Sequence, residues 1–342
     1  MKTVSLDVHG ESSEIVAVSE EGEVLLELKV STEAGELRRI VGGIAGPKRV
    51  VFEEGPMSGM IRDALEGVAE EIVSCDGSRN ALIARSEDSN DERDAFRLTV
   101  LARAGALHAV YVPPEPYRSL RSLLGHDRGL AKQMTGVKNR IKGLCRRHGI
   151  RYRGARVYGR KGREEVVTRL TGAMRWQMES AYRQLDMLGK ERVGARRVVG
   201  RLSRGLSEIG LLDTIPGVGS IAARTMVAWI VDPLRFESRN ALNGYAGLGI
   251  SQSVTNWQQT GRGRASKRGQ RALKRVLLLA GRAAIKGENA LARRYWSRIE
   301  SGWDDRKAIR DVARTILFVG CGMWKRKEAY RDELVSVPSP KR

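Results

Sequence analysis

A chain of 342 residues is long enough for two or three domains with sizeable cores. Its 61 Lys and Arg against 40 Asp and Glu leave a formal charge of +21, a bias that suits a polyanionic partner because neutralised phosphates release their counterions. Three scattered cysteines (Cys75, Cys145, Cys321), four scattered histidines and no long apolar run argue against a zinc site, a secreted disulfide protein or a membrane span, so a reduced, cytoplasmic, nucleoid-associated protein is expected.

In the first strand, Val4, Leu6 and Val8 alternate with Ser5, Asp7 and His9, the period of a strand with one apolar face. Residues 12–31 read as a hairpin turning at Glu21-Gly22. A helix near Glu33–Val41, a strand over Lys48–Glu54, a helix near Ser58–Val68 and a strand over Glu71–Cys75 follow. A helix from Asp91 and a strand over His108–Val112 complete residues 1–113. Hairpin strands followed by alternating helices and strands give the order of an α/β, ribonuclease-H-like domain, a mixed sheet with helices on both faces. Pro113, Pro114 and Pro116 close it, since consecutive prolines continue neither helix nor sheet.

Residues 117–205 read as a long helical, coiled-coil hairpin. Its first half is crowded with cations, among them Arg140, Lys142, Arg146 and Arg147, and one basic face toward phosphates is expected. Residues 206–331 read as a mainly α domain that opens with a helix-hairpin-helix element. There Gly217 and Gly219 would bring backbone N–H groups close to phosphate at the start of a helix. Arg262, Arg264, Lys267 and Arg268 precede a further apolar helix, and residues 332–342 read as a disordered tail.

Four carboxylates carry the chemistry: Asp7 within the first strand, Glu54 at the end of another, and Asp91 and Asp94 three apart at a helix start. Taken singly, Asp91 and Asp94 could merely complement the positive end of a helix, Glu54 could lead into a loop, and Asp7 could sit on a strand surface. Taken together in a basic chain, they are suited to hold Mg²⁺ for work on phosphodiester bonds, since Mg²⁺ prefers hard oxygen ligands. Glu53 and Glu54 compete for the second position, and Glu54 is preferred as the strand-terminal residue on the face of Val50 and Phe52.

These motifs resemble the DEDD transposases of the IS110 insertion-sequence family, the bridge-RNA-guided recombinases. The resemblance rests on Asp7 in SLDVH, Glu54 in FEEGP, Asp91 to Ala95 (DERDA), and Ile215-Pro216-Gly217-Val218-Gly219. It rests also on two anchors, Tyr245-Ala246-Gly247-Leu248 and Ser266-Lys267-Arg268-Gly269, that bracket the family's catalytic loop. The resemblance implies a RuvC-like domain, a coiled coil and a C-terminal transposase domain with a hydroxyl nucleophile. It also implies Mg²⁺, DNA ends and target, a structured guide RNA and a homo-oligomer. Counting from the first anchor places Thr255 at the position of the family's serine, with Ser253 as the alternative. A hydrolytic RuvC-like nuclease and a non-catalytic nucleic-acid binder are the competing readings.

Overall fold

The structure, a computed structural model, describes residues 1–77, 91–255, 258–265 and 269–338, with the side chains of 91–94 and 250–268 outside the description. The chain divides into two compact units, Met1–Pro114 and Glu115–Arg342.

The first unit is built on a six-stranded sheet of β1 (Lys2–Val8), β2 (Ser12–Val18), β3 (Val24–Ser31), β4 (Lys48–Glu53), β5 (Glu71–Cys75) and β6 (Ala109–Val110). Their order is β3-β2-β1-β4-β5-β6, with β1, β4 and β5 parallel and the others antiparallel. Strand alternation sorts the side chains cleanly. Val4, Leu6, Val50 and Phe52 are fully buried against Leu37 and Val41 of α1 (Ala34–Gly43) and Ile61 and Leu65 of α2 (Ser58–Leu65). On the opposite face, Val51 and Cys75 pack with Leu98 and Ala102 of α3 (Asp91–Arg103). The arrangement, helices on both faces of a mixed sheet, is compatible with the ribonuclease-H-like order expected. Helix α2 stops short of Val68 because Gly67 takes a left-handed φ of +74°, a common way for a helix to end.

In the second unit, α4 (Tyr117–Arg147) packs along α6 (Gly172–Leu202), with α5 (Arg160–Val167) at their far end. Leu130, Met134, Val137, Ile141 and Leu144 fall at alternating spacings of four and three, the seam of a helix pair, and meet Met178, Tyr182, Leu185 and Leu188. The helices run antiparallel: Arg140 donates to Gln184 at 2.9 Å, while the earlier Asp127 accepts from the later Arg192 and Arg196 at 3.0 and 2.9 Å. Asp127 occupies a seam position itself and is 4% exposed.

The remainder forms one core around Leu212, Ile215, Met226, Leu277 and Ile316. Its elements are α7 (Glu208–Asp213), α8 (Ser220–Ile230), α9 (Arg239–Tyr245), the antiparallel pair β7 (Ile250–Thr255) and β8 (Gln258–Ala265), α10 (Arg271–Ala284), α11 (Ala290–Glu300) and α12 (Asp305–Arg326). The expected disordered tail is ordered as far as Pro338. Val335 is buried, Asp332 accepts from the Ala290 N–H at 3.0 Å and from Arg293 at 2.9 Å, and Arg294 donates to the Ser336 carbonyl. Polar composition concealed this, because only Val335 and Leu334 reach the core and the rest of the segment is held by hydrogen bonds to α11.

Candidate active site and nucleic-acid interface

Asp7 lies one residue beyond the last registered pair of β1 and β4, Leu6 with Phe52. Extending that parallel register sets Asp7 beside Glu53, both at the carboxyl ends of their strands. Paired residues of parallel strands share a face, so Asp7 and Glu53 project with Ser5 and Val51, toward the layer of α3. Glu54 alternates to the other side, that of Leu6 and Phe52. The strand ends at Glu53, and Glu54 contributes its N–H to the Cys75 carbonyl at 2.8 Å. Glu53 thus shares the face of Asp7, whereas Glu54, preferred on sequence, lies just beyond the strand end and alternates to the other side; both glutamates are exposed.

The Glu53 carboxylate folds over Gly77: a Cβ added there would lie 2.1 Å from its Oε2. Asp7 is mostly buried, at 18% exposure of its side chain, and its Oδ2 stands 3.1 Å from His9 Nε2. Asp76, which sequence reasoning passed over, directly follows β5 at the same edge, and its N–H bonds to the His108 carbonyl at 3.0 Å. Its signal was available: it follows the run EIVSC much as Glu53 and Glu54 follow VVF.

Helix α3 is brought to this edge by Ser5, whose hydroxyl donates to the Ala95 carbonyl at 2.6 Å and also bonds Thr99. At the other end of the helix, Arg103 donates to the carbonyls of Ser19 and Glu20, beside the start of β1. The helix thus runs opposite to β1, and its first turn, with Asp91 and Asp94, heads toward the strand end that carries Asp7. The side chains of Asp91 and Asp94 lie outside the described residues. Among the described residues no group of three or more His, Cys, Asp or Glu side chains converges on one point. The donors that are described, Asp7 and Glu53, are hard-oxygen carboxylates and fit Mg²⁺ in chemistry.

In the second unit, α7 and α8 are joined by a turn in which Gly217 has φ +82°. A Cβ there would come within 2.3 Å of the Ala280 carbonyl oxygen and 2.5 Å of the Ala284 nitrogen. Its backbone therefore packs closely on α10. Gly219 has open space where a Cβ would be, and caps α8, whose first internal bond runs from the Ala223 N–H to its carbonyl. The earlier N–H groups of that turn have no partner within the helix.

The segment bracketed by the two anchors folds as the β7–β8 pair, with Thr255 opposite Gln258 and Ser253 opposite Thr260. The anchors meet at its neck. A Cβ on Gly269 (φ +95°) would lie 2.5 Å from both the Gly247 Cα and nitrogen, and the Gln270 N–H bonds the Tyr245 carbonyl at 2.7 Å. Only glycine allows that approach. The side chains of Ser253, Thr255, Arg262 and Arg264 lie outside the described residues, as do Lys267 and Arg268 altogether.

Just before this neck, the Trp229 carbonyl at the end of α8 accepts from Arg121 at 3.1 Å, Arg235 at 3.2 Å and the Tyr245 hydroxyl at 2.9 Å. Arg121 also donates to the Ala228 carbonyl at 2.7 Å, so the first turn of α4 is tied to the base of the bracketed segment. Of the expected basic face, Arg146 and Arg147 are exposed. Arg140 is engaged by Gln184, and the Lys142 Nζ stands 5.9 Å from the ring centroids of both Tyr152 and Tyr158.

Comparison with known proteins places matches on both units. A DEDD transposase sequence model of the IS110 type matches residues 4–149, and one described as Transposase IS116/IS110/IS902 family matches residues 210–297. The protein y4qE of Sinorhizobium fredii (strain NBRC 101917 / NGR234), described as a candidate transposase, is 25% identical over 243 residues. That match spans 68% of this chain and 59% of the relative.

Proposed function

Because this chain belongs to the IS116/IS110/IS902 family of DEDD transposases, we propose that it is the recombinase of an insertion sequence, cutting and rejoining DNA strands at an acidic edge with a hydroxyl from the β7–β8 segment. The observation that carries the reading is the shared face of Asp7 and Glu53 at the ends of adjacent parallel strands, with the first turn of α3 directed to the same edge. Asp7, Glu53, Asp91 and Asp94 would hold Mg²⁺, which when bound supplies Lewis acidity toward a phosphodiester. The protein's own groups orient it: His9 steadies Asp7, and Ser5 fixes the helix that carries the second pair.

Thr255, or Ser253 in its place, is the proposed nucleophile. Its hydroxyl oxygen would form a bond to phosphorus while the DNA 3′ or 5′ oxygen leaves and takes up the proton the hydroxyl releases, and the reverse displacement, with the proton returned, would rejoin the strand. The glycine-closed neck supports this role by holding both ends of the segment together. The structured guide RNA, the homo-oligomer and the DNA ends belong to the same proposal, as does the division into a RuvC-like domain (1–113), a coiled-coil region (117–205) and a transposase domain (206–331). Incubation of the full chain with Mg²⁺, element-end DNA and the RNA transcribed from the element's flank tests it on a denaturing gel. A protein–DNA adduct lost in Thr255→Ala supports the scheme; free nicks that persist in both Thr255→Ala and Ser253→Ala replace it with hydrolysis.

A further inference from the structure

The far end of the helical hairpin holds a cleft of about 990 Å³, in which four cations surround an apolar floor. The floor is Ile150, Val157 and Val166, all buried, and the half-buried ring of Tyr152 stands in the wall. Arg146, Arg151, Arg153 and Arg169 form the rim, each exposed and, among the described residues, without an acidic partner. The acid in the lining, Glu165, is already bonded to Arg156. The walls are set by close backbone packing: a Cβ at Gly162 would lie 2.1 Å from the Arg156 carbonyl oxygen, which draws α5 down onto the turn.

Repulsion among such guanidinium groups is relieved by bound anions, and guanidinium matches phosphate geometry. An apolar floor with an adjacent ring adds what a bare phosphate site lacks, namely a place for a base face. Stacked base pairs in a duplex cannot reach that floor, whereas an unpaired nucleotide can be turned into it. We propose that this cleft receives a single unpaired nucleotide of a folded nucleic-acid strand, its base on the Ile150, Val157 and Val166 floor beside Tyr152 and its flanking phosphates on the four arginines. This rests on the reading that the chain works on nucleic acid, and it assigns a site that is separate from the acidic edge.

The test uses the full-length chain and fluorescence anisotropy with two hairpin oligonucleotides, one fully paired and one with a single-nucleotide bulge. Each is prepared as RNA and as DNA, and titrated over a range of salt. The bulged hairpin is expected to bind about tenfold tighter in at least one of the two chemistries, in line with the stacking of one base, and the two forms identify the strand recognised. Arg151→Ala/Arg153→Ala/Arg169→Ala, all exposed positions, should erase that preference and flatten the salt dependence by about 0.7–0.9 for each phosphate no longer neutralised. Tyr152→Leu should reduce the preference while leaving the salt dependence in place. Equal binding of both hairpins by the wild type overturns the proposal and leaves nucleic-acid binding standing, as does a preference that survives in the triple variant. Failure to bind any hairpin overturns both readings together.

Discussion

Ser5 and Ala95, ninety residues apart in sequence, are joined by a 2.6 Å hydrogen bond from the Ser5 hydroxyl to the Ala95 carbonyl oxygen, inside a region closed to solvent. Since Asp7 is two residues beyond Ser5 and Asp94 directly precedes Ala95, this bond sets the spacing of the two acidic segments. Ser5→Ala should cost about 1–2 kcal/mol in urea denaturation, because it removes a buried hydrogen bond to the Ala95 carbonyl, leaving there only the longer bond from Thr99 at 3.2 Å. It should lower strand exchange more than this loss of stability explains, and Ser5→Thr should restore part of both.

The register of β1 and β4 distinguishes two adjacent glutamates. Glu53→Gln should reduce Mg²⁺-dependent cleavage by more than the ~10–100-fold typical of losing an outer-shell partner of a metal site. Glu54→Gln should leave it within a few-fold of wild type, as measured by single-turnover cleavage across a Mg²⁺ titration. The opposite ranking would assign the role to Glu54.

Gly217 and Gly219 should also separate. Gly217→Ala combines a left-handed φ with a Cβ driven into the Ala280 carbonyl, and should destabilise by about 2 kcal/mol or more. Gly219→Ala meets open space and loses only a favourable cap residue, about 1 kcal/mol or less. Chemical denaturation of the two variants decides between an internal and an external role for each glycine.

Asp127 places a charge in the seam of the helical hairpin, bonded by Arg192 and Arg196, whose side chains are 30% and 44% exposed. Asp127→Ala should lose about 2–3 kcal/mol, below the full value for a buried pair because the arginines remain partly hydrated. Asp127→Leu with Arg192→Leu should recover most of it by restoring an apolar seam, at the expense of a unique register. Thermal melts and cross-linking of the hairpin would report the two effects separately.

Asp311 answers to pH. Burial alone would raise its carboxyl, but hydrogen bonds and charge from Arg294 and Arg298, at 2.8 and 3.1 Å, outweigh this and hold it below its ordinary value of 3.8. The folded state therefore binds its proton less readily than the unfolded chain. Its stabilisation is complete above the ordinary carboxylate value and lost as pH falls below it. Asp311→Asn should lower stability near neutral pH and flatten the acid side of the stability profile below about pH 4.

Much of this was legible in the residues. The alternation of Val4, Leu6 and Val8 placed Asp7 on a strand, and the spacing of Leu130, Val137, Ile141 and Leu144 gave the long hairpin. The choice between Glu53 and Glu54 was not legible, because it depends on where β4 ends and which partner sets its register, and both are tertiary facts. The packing of Gly217 on α10 was hidden for a related reason: a glycine that frees an N–H and one that admits a neighbouring helix have the same sequence signature. Residues 332–338 looked disordered because hydrogen-bonded attachment leaves no hydrophobic period. Asp91, Asp94, Thr255 and Ser253 are placed by the backbone alone.

The carbonyl of Trp229 gathers Arg121, Arg235 and Tyr245 at one point. From Arg121, the following 26 residues of α4 run for about 40 Å. The arginine-rimmed cleft and the pinched base of the Thr255 ribbon therefore lie toward opposite ends of one continuous helix, whose near end is hydrogen-bonded to the same carbonyl as Tyr245.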